Sequence, residues 1–349
     1  MKKAVFLVLG MFVLSSPALA FHDGGVADCQ GCHTMHNSQD GALIDADSPN
    51  GNPWLLVDAT PSDVCLGCHA DHLGAVFADD VLNPTATRGG GNFIFLLEDN
   101  LNDGHGGASD PISGDAAGHN LNAPGHGLAA DATLGTAPGG TFPASVMGCT
   151  SCHDPHGTDS FRMLYGAGRL VQDFFTFNNA SPDADGLVLF GGAESPTNHT
   201  AYKGGMSAWC GNCHGDFHNE AGGALIHPSG SAIGGSIATT YNLYNGTSDQ
   251  TGGTSVDAYL VEVPFEDAAN TTSSTEGPTA GSQVSCITCH RAHATSAVDA
   301  GRWDFQVPLL HEDGAESGSY QIPDPYGDLN QRSLCNKCHN KDEFDHMPF

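Results

Sequence analysis

Basic residues are scarce in this chain. Eleven Lys and Arg stand against 40 Asp and Glu in 349 residues, a net charge of −29. That balance argues against nucleic acid as a partner and favours cationic or metallic surfaces. Charged residues make up only 15% and aromatics 8%, while 46 Gly and 19 Pro interrupt the chain. Long helices and a conventional core of packed side chains are therefore not expected, and something else must fill the interior. Beyond the N-terminus no apolar run approaches the roughly 20 residues of a membrane-spanning helix. Unpaired cysteines are also missing, because every cysteine belongs to one recurring motif.

That motif is Cys-x-x-Cys-His, present six times: Cys29/Cys32/His33, Cys65/Cys68/His69, Cys149/Cys152/His153, Cys210/Cys213/His214, Cys286/Cys289/His290 and Cys335/Cys338/His339. Two thiols about one helical turn apart can each bond a vinyl group of one porphyrin, and the adjacent imidazole then meets the iron. Disulfides or zinc would use the cysteines but leave the histidine after every second one unexplained. The pattern predicts six covalent c-type haems with His33, His69, His153, His214, His290 and His339 as proximal ligands. The porphyrins themselves then form the core. The fold expected is mostly irregular, with short helices at the motifs and few short strands.

Lys2 and Lys3, the apolar run from Ala4 to Leu14 and the small residues Ala18-Leu19-Ala20 read as an export signal. Residues 1–20 are expected to be cleaved, leaving 21–349 as a single multihaem domain at the outer surface or in the periplasm. Thirteen of the 19 histidines remain for six distal positions. His36, His72, His156 and His293 each follow a proximal histidine by three residues, and His218 follows by four. On a short helix such a pair shares one face, so one haem cannot use both and the second histidine must serve a neighbouring haem. His105, His126, His199, His311 and His346 lack this spacing and are read as non-ligands; Met35 and Met147 are read as packing.

Elsewhere, Gly104 to Gly140 reads as loop draped over haem faces, and Ser229 to Ser255 as an extended surface crossing that carries Tyr241 and Tyr244. Asn92 to Leu97 and Leu187 to Phe190 read as short strands, and Leu170 to Phe177 as either a helix turn or a strand. The acidic clusters Asp45/Asp47 and Asp183/Asp185 are reminiscent of Ca²⁺ loops but lack the closing glutamate, so solvated turns are preferred over Ca²⁺.

The blocks FHDGGVADCQGCHTMHN from Phe21, GHN from Gly118, TAPGGTFPA from Thr136, CTSCHDPHG from Cys149, GMSAWCGNCHGDFHN from Gly205, His227-Pro228, CITCHRAHA from Cys286 and QRSLCNKCH from Gln331 resemble one family. It is the OmcS-like, filament-forming hexahaem outer-surface c-type cytochromes of Geobacter. The resemblance implies a head-to-tail homopolymer with a continuous haem chain, every iron bound by two histidines, and His36 ligating the haem on Cys286 and Cys289 of a neighbouring subunit. It further implies His22, His119, His156, His218, His227 and His293 as distal candidates. Seven histidines for six positions leave one over, His22 or His227; His72 falls outside the family pattern. Around 73–115, 162–200 and 295–330 the match is lost.

The function implied is a non-enzymatic, conductive filament subunit passing electrons from outer-membrane donors to extracellular acceptors. A monomeric periplasmic or surface shuttle is the first rival and would need every distal ligand from its own chain. A multihaem reductase of the nitrite or hydroxylamine type is the second, and would need one iron open to substrate.

Overall fold

The computed structural model describes residues 29–70, 76–77, 89–97, 101–102, 111–112, 116–187, 194–218, 227–246, 251–305, 309–310, 324–328 and 331–339. Within them four α-helices occur: α1 (Pro61–His69), α2 (Met206–Cys210), α3 (Gly234–Leu243) and α4 (Cys286–Cys289). Four antiparallel two-stranded ribbons join them: β1 (Ser38–Gln39) with β2 (Ala42–Leu43), β3 (Leu101–Asn102) with β4 (Pro111–Ile112), β5 (Leu170–Val171) with β6 (Phe175–Thr176), and β7 (Asp183–Asp185) with β8 (Ala201–Gly204). The rest is loop and short 3₁₀ turns, as the Gly and Pro content predicts.

Each attachment motif sits on a helical turn. Three are α-helical, in α1, α2 and α4, and three are 3₁₀ turns at Cys29–Gly31, Cys149–Ser151 and Leu334–Lys337. Helix α1 shows why a turn forms there. Pro61 opens it without losing a needed N–H, and Thr60 accepts the Asp63 amide as N-cap. The helix has no strong apolar face, because its role is to present Cys65, Cys68 and His69 rather than to bury a stripe.

The apolar side chains gather in four small clusters, each packed against attachment cysteines. One, built on Leu66, Phe93, Phe95 and Leu121, reaches Cys149. Another, with Tyr241, Tyr259, Phe265 and Trp303, reaches Cys289, Cys335 and Cys338. Two smaller ones flank Cys213 and Cys210.

Three expectations are corrected. Asn92 to Leu97 is not a strand but a 3₁₀ turn over Phe93–Leu97, bent so that Phe93, Ile94 and Phe95 all turn inward. Ser229 to Ser255 is not extended throughout: it contains α3, where burial of Ala238 and Tyr241, three apart on one face, overrides the weak helix propensity of Gly, Ser and Thr. Asp183–Asp185 is a strand, with Asp185 paired to Lys203, rather than a turn. Leu170 to Phe177 resolves into the β5–β6 hairpin. Of Leu187 to Phe190 only Leu187 is described, and much of 104–115 lies outside the described residues.

Candidate haem-attachment sites

Five histidine rings are held by a backbone carbonyl at Nδ1. His33 meets Trp54 O at 3.0 Å, His153 meets Arg162 O at 2.7 Å, His214 meets Pro138 O at 2.8 Å, His290 meets Asp299 O at 2.8 Å, and His119 meets Ala292 O at 2.8 Å. A carbonyl can only accept, so the proton resides on Nδ1 and Nε2 keeps its lone pair free for a metal.

Three of these carbonyls are delivered by one device. Trp54-Leu55, Arg162-Met163 and Asp299-Ala300 are pairs with positive φ, each at the centre of a turn closed by an i+3 hydrogen bond. Left-handed backbone at both central positions is the type I′ turn. Each turn then pairs with its motif, through the bridges His33 with Leu56, His153 with Leu164 and His290 with Gly301. Cys32 O, Cys152 O and Cys289 O accept the amides of Val57, Tyr165 and Arg302. Sequence reading missed these turn residues. The nine-residue step from His153 to Arg162, repeated from His290 to Asp299, was the available signal.

The motifs are ordered by contacts between their sulfurs. Cys65 donates its thiol hydrogen to Cys149, which pushes Cys65 up and Cys149 down from the usual thiol range. Cys210 and Cys286 are joined the same way. These thiols stand in for the thioethers that haem attachment would form, so the proximity matters and the titration does not. Ser62, three residues before Cys65, accepts the Cys149 amide at 3.2 Å, and Ser207, three before Cys210, accepts the Cys286 amide at 3.2 Å. Motif two therefore packs on three, and four on five, by the same contact. Cys32 also lies near Cys68, Cys152 near Cys213, and Cys289 near Cys335 and Cys338. The six motifs thus follow one another in space in chain order.

Opposite the motif histidines stand other histidines. His156 faces His33 with ring centres 6.5 Å apart and planes 5° from parallel. His119 faces His214 at 5.9 Å and His227 faces His339 at 6.0 Å. Two imidazoles bonded to one metal from opposite sides, with metal–nitrogen bonds of about 2 Å, hold their ring centres about 6 Å apart. His293 is lowered to about 3, by burial first and then by His153 and His119; His119 is lowered by burial, then by His214. Both stay neutral, the form that ligates. His156 points Nδ1 toward the buried Asp154 carboxylate at 3.8 Å, which Arg169 also engages. An open cavity of about 610 Å³ lies over the first motif, lined by Cys29, Gln30, His33, Thr34, Met35 and Leu55.

Other histidines are placed differently. His36 is exposed. His199 is buried, both ring nitrogens 3.0 Å from carbonyls, stacked on Tyr259. His126 leans on Asp63 and Phe77. His22, His72, His105, His311 and His346 lie outside the described residues, as does the side chain of His218. The Asp45 carboxylate is consumed by Asp47, Ser48 and Asn52, and among the described residues no cluster of three or more His, Cys, Asp or Glu could hold a metal ion by itself.

The doubled CXXCH motif family matches residues 22–74 and 142–171. The C-type cytochrome OmcS of Geobacter sulfurreducens is 32% identical over 431 residues, covering 98% of this chain and 99% of that one. The chain belongs to the OmcS family of c-type cytochromes. Two solved structures agree with this membership. An OmcS filament structure from the same organism matches with a TM-score of 0.76 at 30% identity, over 92% of this chain and all of that one. A cryo-EM structure of OmcS nanowires matches with a TM-score of 0.75 at 31% identity and the same coverage. OmcS membership fits the residues: paired thiols, an imidazole with free Nε2 beside them and a second imidazole across a metal-sized gap suit covalent haem. No described helix is long and apolar enough to cross a membrane.

Proposed function

We propose that this chain is a hexahaem subunit of an extracellular electron-conducting filament. The observation that carries it is the spacing of about 6 Å between imidazoles contributed by different parts of the chain, repeated at motifs one, four and six. In this reading His33 and His156 hold the first iron, His153 and His293 the third, His214 and His119 the fourth, and His339 and His227 the sixth. His227 is then a ligand, and the surplus histidine lies elsewhere. Each haem supplies an iron that accepts and releases one electron.

The protein's own work is placement. The carbonyls at His33, His153, His214 and His290 keep Nε2 deprotonated and fix each ring. The sulfur contacts between motifs two and three, and between four and five, would hold the haems on Cys65/Cys68 and Cys149/Cys152, and on Cys210/Cys213 and Cys286/Cys289, as neighbours, as direct electron passage between them requires. Two imidazoles per iron leave no site for substrate, which favours electron transfer over the reductase reading.

The second and fifth irons draw on His22, His36, His72 and His218. His36 is exposed, and its segment also exposes Met35, Leu43, Trp54 and Leu55, an apolar surface suited to being covered by a second copy. This supports His36 crossing to the haem on Cys286 and Cys289 of a neighbour. Donors at the outer membrane and acceptors outside the cell complete the proposed path, with residues 1–20 as the export signal.

Electron microscopy of haem-loaded protein from the cell exterior tests this reading. Ordered filaments with continuous haem density and His36 entering the adjacent subunit are expected. Dispersed particles with six fully ligated haems would make the chain a monomeric shuttle.

A further inference from the structure

His153 and His156 stand three residues apart, yet His156 faces His33 of another motif. The backbone between them shows how the chain turns one ring away from the other. Residues 152–154 run antiparallel to 163–165: Tyr165 donates its amide to Cys152 O at 3.0 Å, and Asp154 donates its own to Met163 O at 2.9 Å. A tight turn follows at once. Gly157 donates its amide to Asp154 O at 3.1 Å around Pro155 and His156, with φ +87° at Gly157, a conformation that glycine adopts freely. His156 is thereby the tip of a turn, its side chain 81% exposed.

Asp154 closes that turn a second time. Its Oδ1 accepts the His156 amide at 3.0 Å, and its Oδ2 accepts from Arg169 Nη2 at 2.5 Å. The carboxylate is buried, and these donors satisfy it there. Thr34 and Arg291 occupy the equivalent position after His33 and His290, and their amides pair in the same way, with Leu55 O at 2.6 Å and Ala300 O at 2.7 Å. The amide of His293, the counterpart of His156, is instead taken by Gly90 O at 2.7 Å. A distant segment holds the second histidine at the fifth motif; at the third, Asp154 holds it from within.

We propose that Asp154 is a positioning residue for the first haem, its Oδ1 fixing the 154–157 turn so that His156 is pre-set on the side of the iron opposite His33. A ring already aimed at its metal loses little freedom on binding, and so stays bound for more of the time. The inference rests on His156 ligating the first iron, as proposed above. Its lever is an oxygen that accepts one amide. Asp154→Asn should therefore preserve it, since the Arg169 side chain is 57% exposed and can turn to water.

CO titration of the reduced, haem-loaded protein tests this, because CO binds an iron only where the distal ligand has left, and its apparent affinity follows the fraction detached. His156→Ala should open one haem in six to CO; should it open none, the ligand reading falls and the positioning role with it. With that ligand established, Asp154→Ala should bind CO at one haem in six at least about tenfold more tightly than wild type, while Asp154→Asn stays within about threefold. Unchanged affinity in Asp154→Ala, an equal rise in Asp154→Asn, or a rise spread over several haems, as general loosening produces, would overturn the proposal. Should Asp154→Ala fail to take up haem, hydrogen exchange of the wild-type protein resolved to single amides decides. The His156 amide should exchange at least about tenfold more slowly than its intrinsic rate; exchange at the intrinsic rate would overturn the proposal equally.

Discussion

His153 donates its Nδ1 proton to the carbonyl oxygen of Arg162 at 2.7 Å, and Arg162 holds that carbonyl in place with a left-handed backbone, φ +52°. The same relationship joins His33 to Trp54 and His290 to Asp299. A side chain in this region costs about 1–2 kcal/mol, and three non-glycine pairs accept that cost at the same point of the same device.

Asp299 is exposed, so its backbone conformation can be tested apart from packing. Asp299→Gly should keep the fifth haem low-spin and shift stability by less than about 1 kcal/mol, since glycine adopts φ +59° freely. Asp299→Val should destabilise by about 1–2 kcal/mol or more. Thermal unfolding followed in the Soret band distinguishes them; equal midpoints would show that the turn bears no strain.

Two distal histidines should separate ligation from assembly. His227→Ala is expected to leave one haem in six high-spin while filaments still form. His36→Ala should also produce one high-spin haem in six, but abolish polymerisation. Absorbance or EPR counts the spin states and microscopy reports the filaments. Polymerisation unaffected by His36→Ala would remove the inter-subunit ligand from the proposal.

Ser62 and Ser207 make one hydrogen bond twice, to the amides of Cys149 and Cys286. Ser62→Ala and Ser207→Ala should each cost about 1 kcal/mol, and the double variant about the sum, because the two contacts share no partner. Denaturant titration of the three variants checks this.

The Asp45 carboxyl is held below the usual carboxylate range, chiefly by the Asn52 side chain and then by the amides of Asp47 and Ser48. A depressed pKa contributes stability that is complete above the ordinary carboxylate value and lost as pH falls through the folded one. Amides of residues 45–52 should therefore exchange faster, relative to the rest of the chain, as pH drops below about 4, and Asp45→Asn should remove that pH dependence. Mass-resolved hydrogen exchange corrected for intrinsic rates provides the measurement.

What the amino-acid sequence determined by itself is local. Cys-x-x-Cys-His sets two thiols and an imidazole within five consecutive residues, so each of the six candidate attachment sites was legible without a fold. Likewise the scarcity of charge and the abundance of Gly and Pro foretold short elements joined by irregular backbone. Tertiary structure decided what crosses the chain. That His156 faces His33 rather than its own neighbour His153, that His227 stands opposite His339, and that α3 winds through a Gly/Ser/Thr-rich stretch depend on contacts between segments far apart in sequence. A residue pattern fixes spacing along the backbone, whereas the partner of a ring is chosen by the geometry of whatever packs against it.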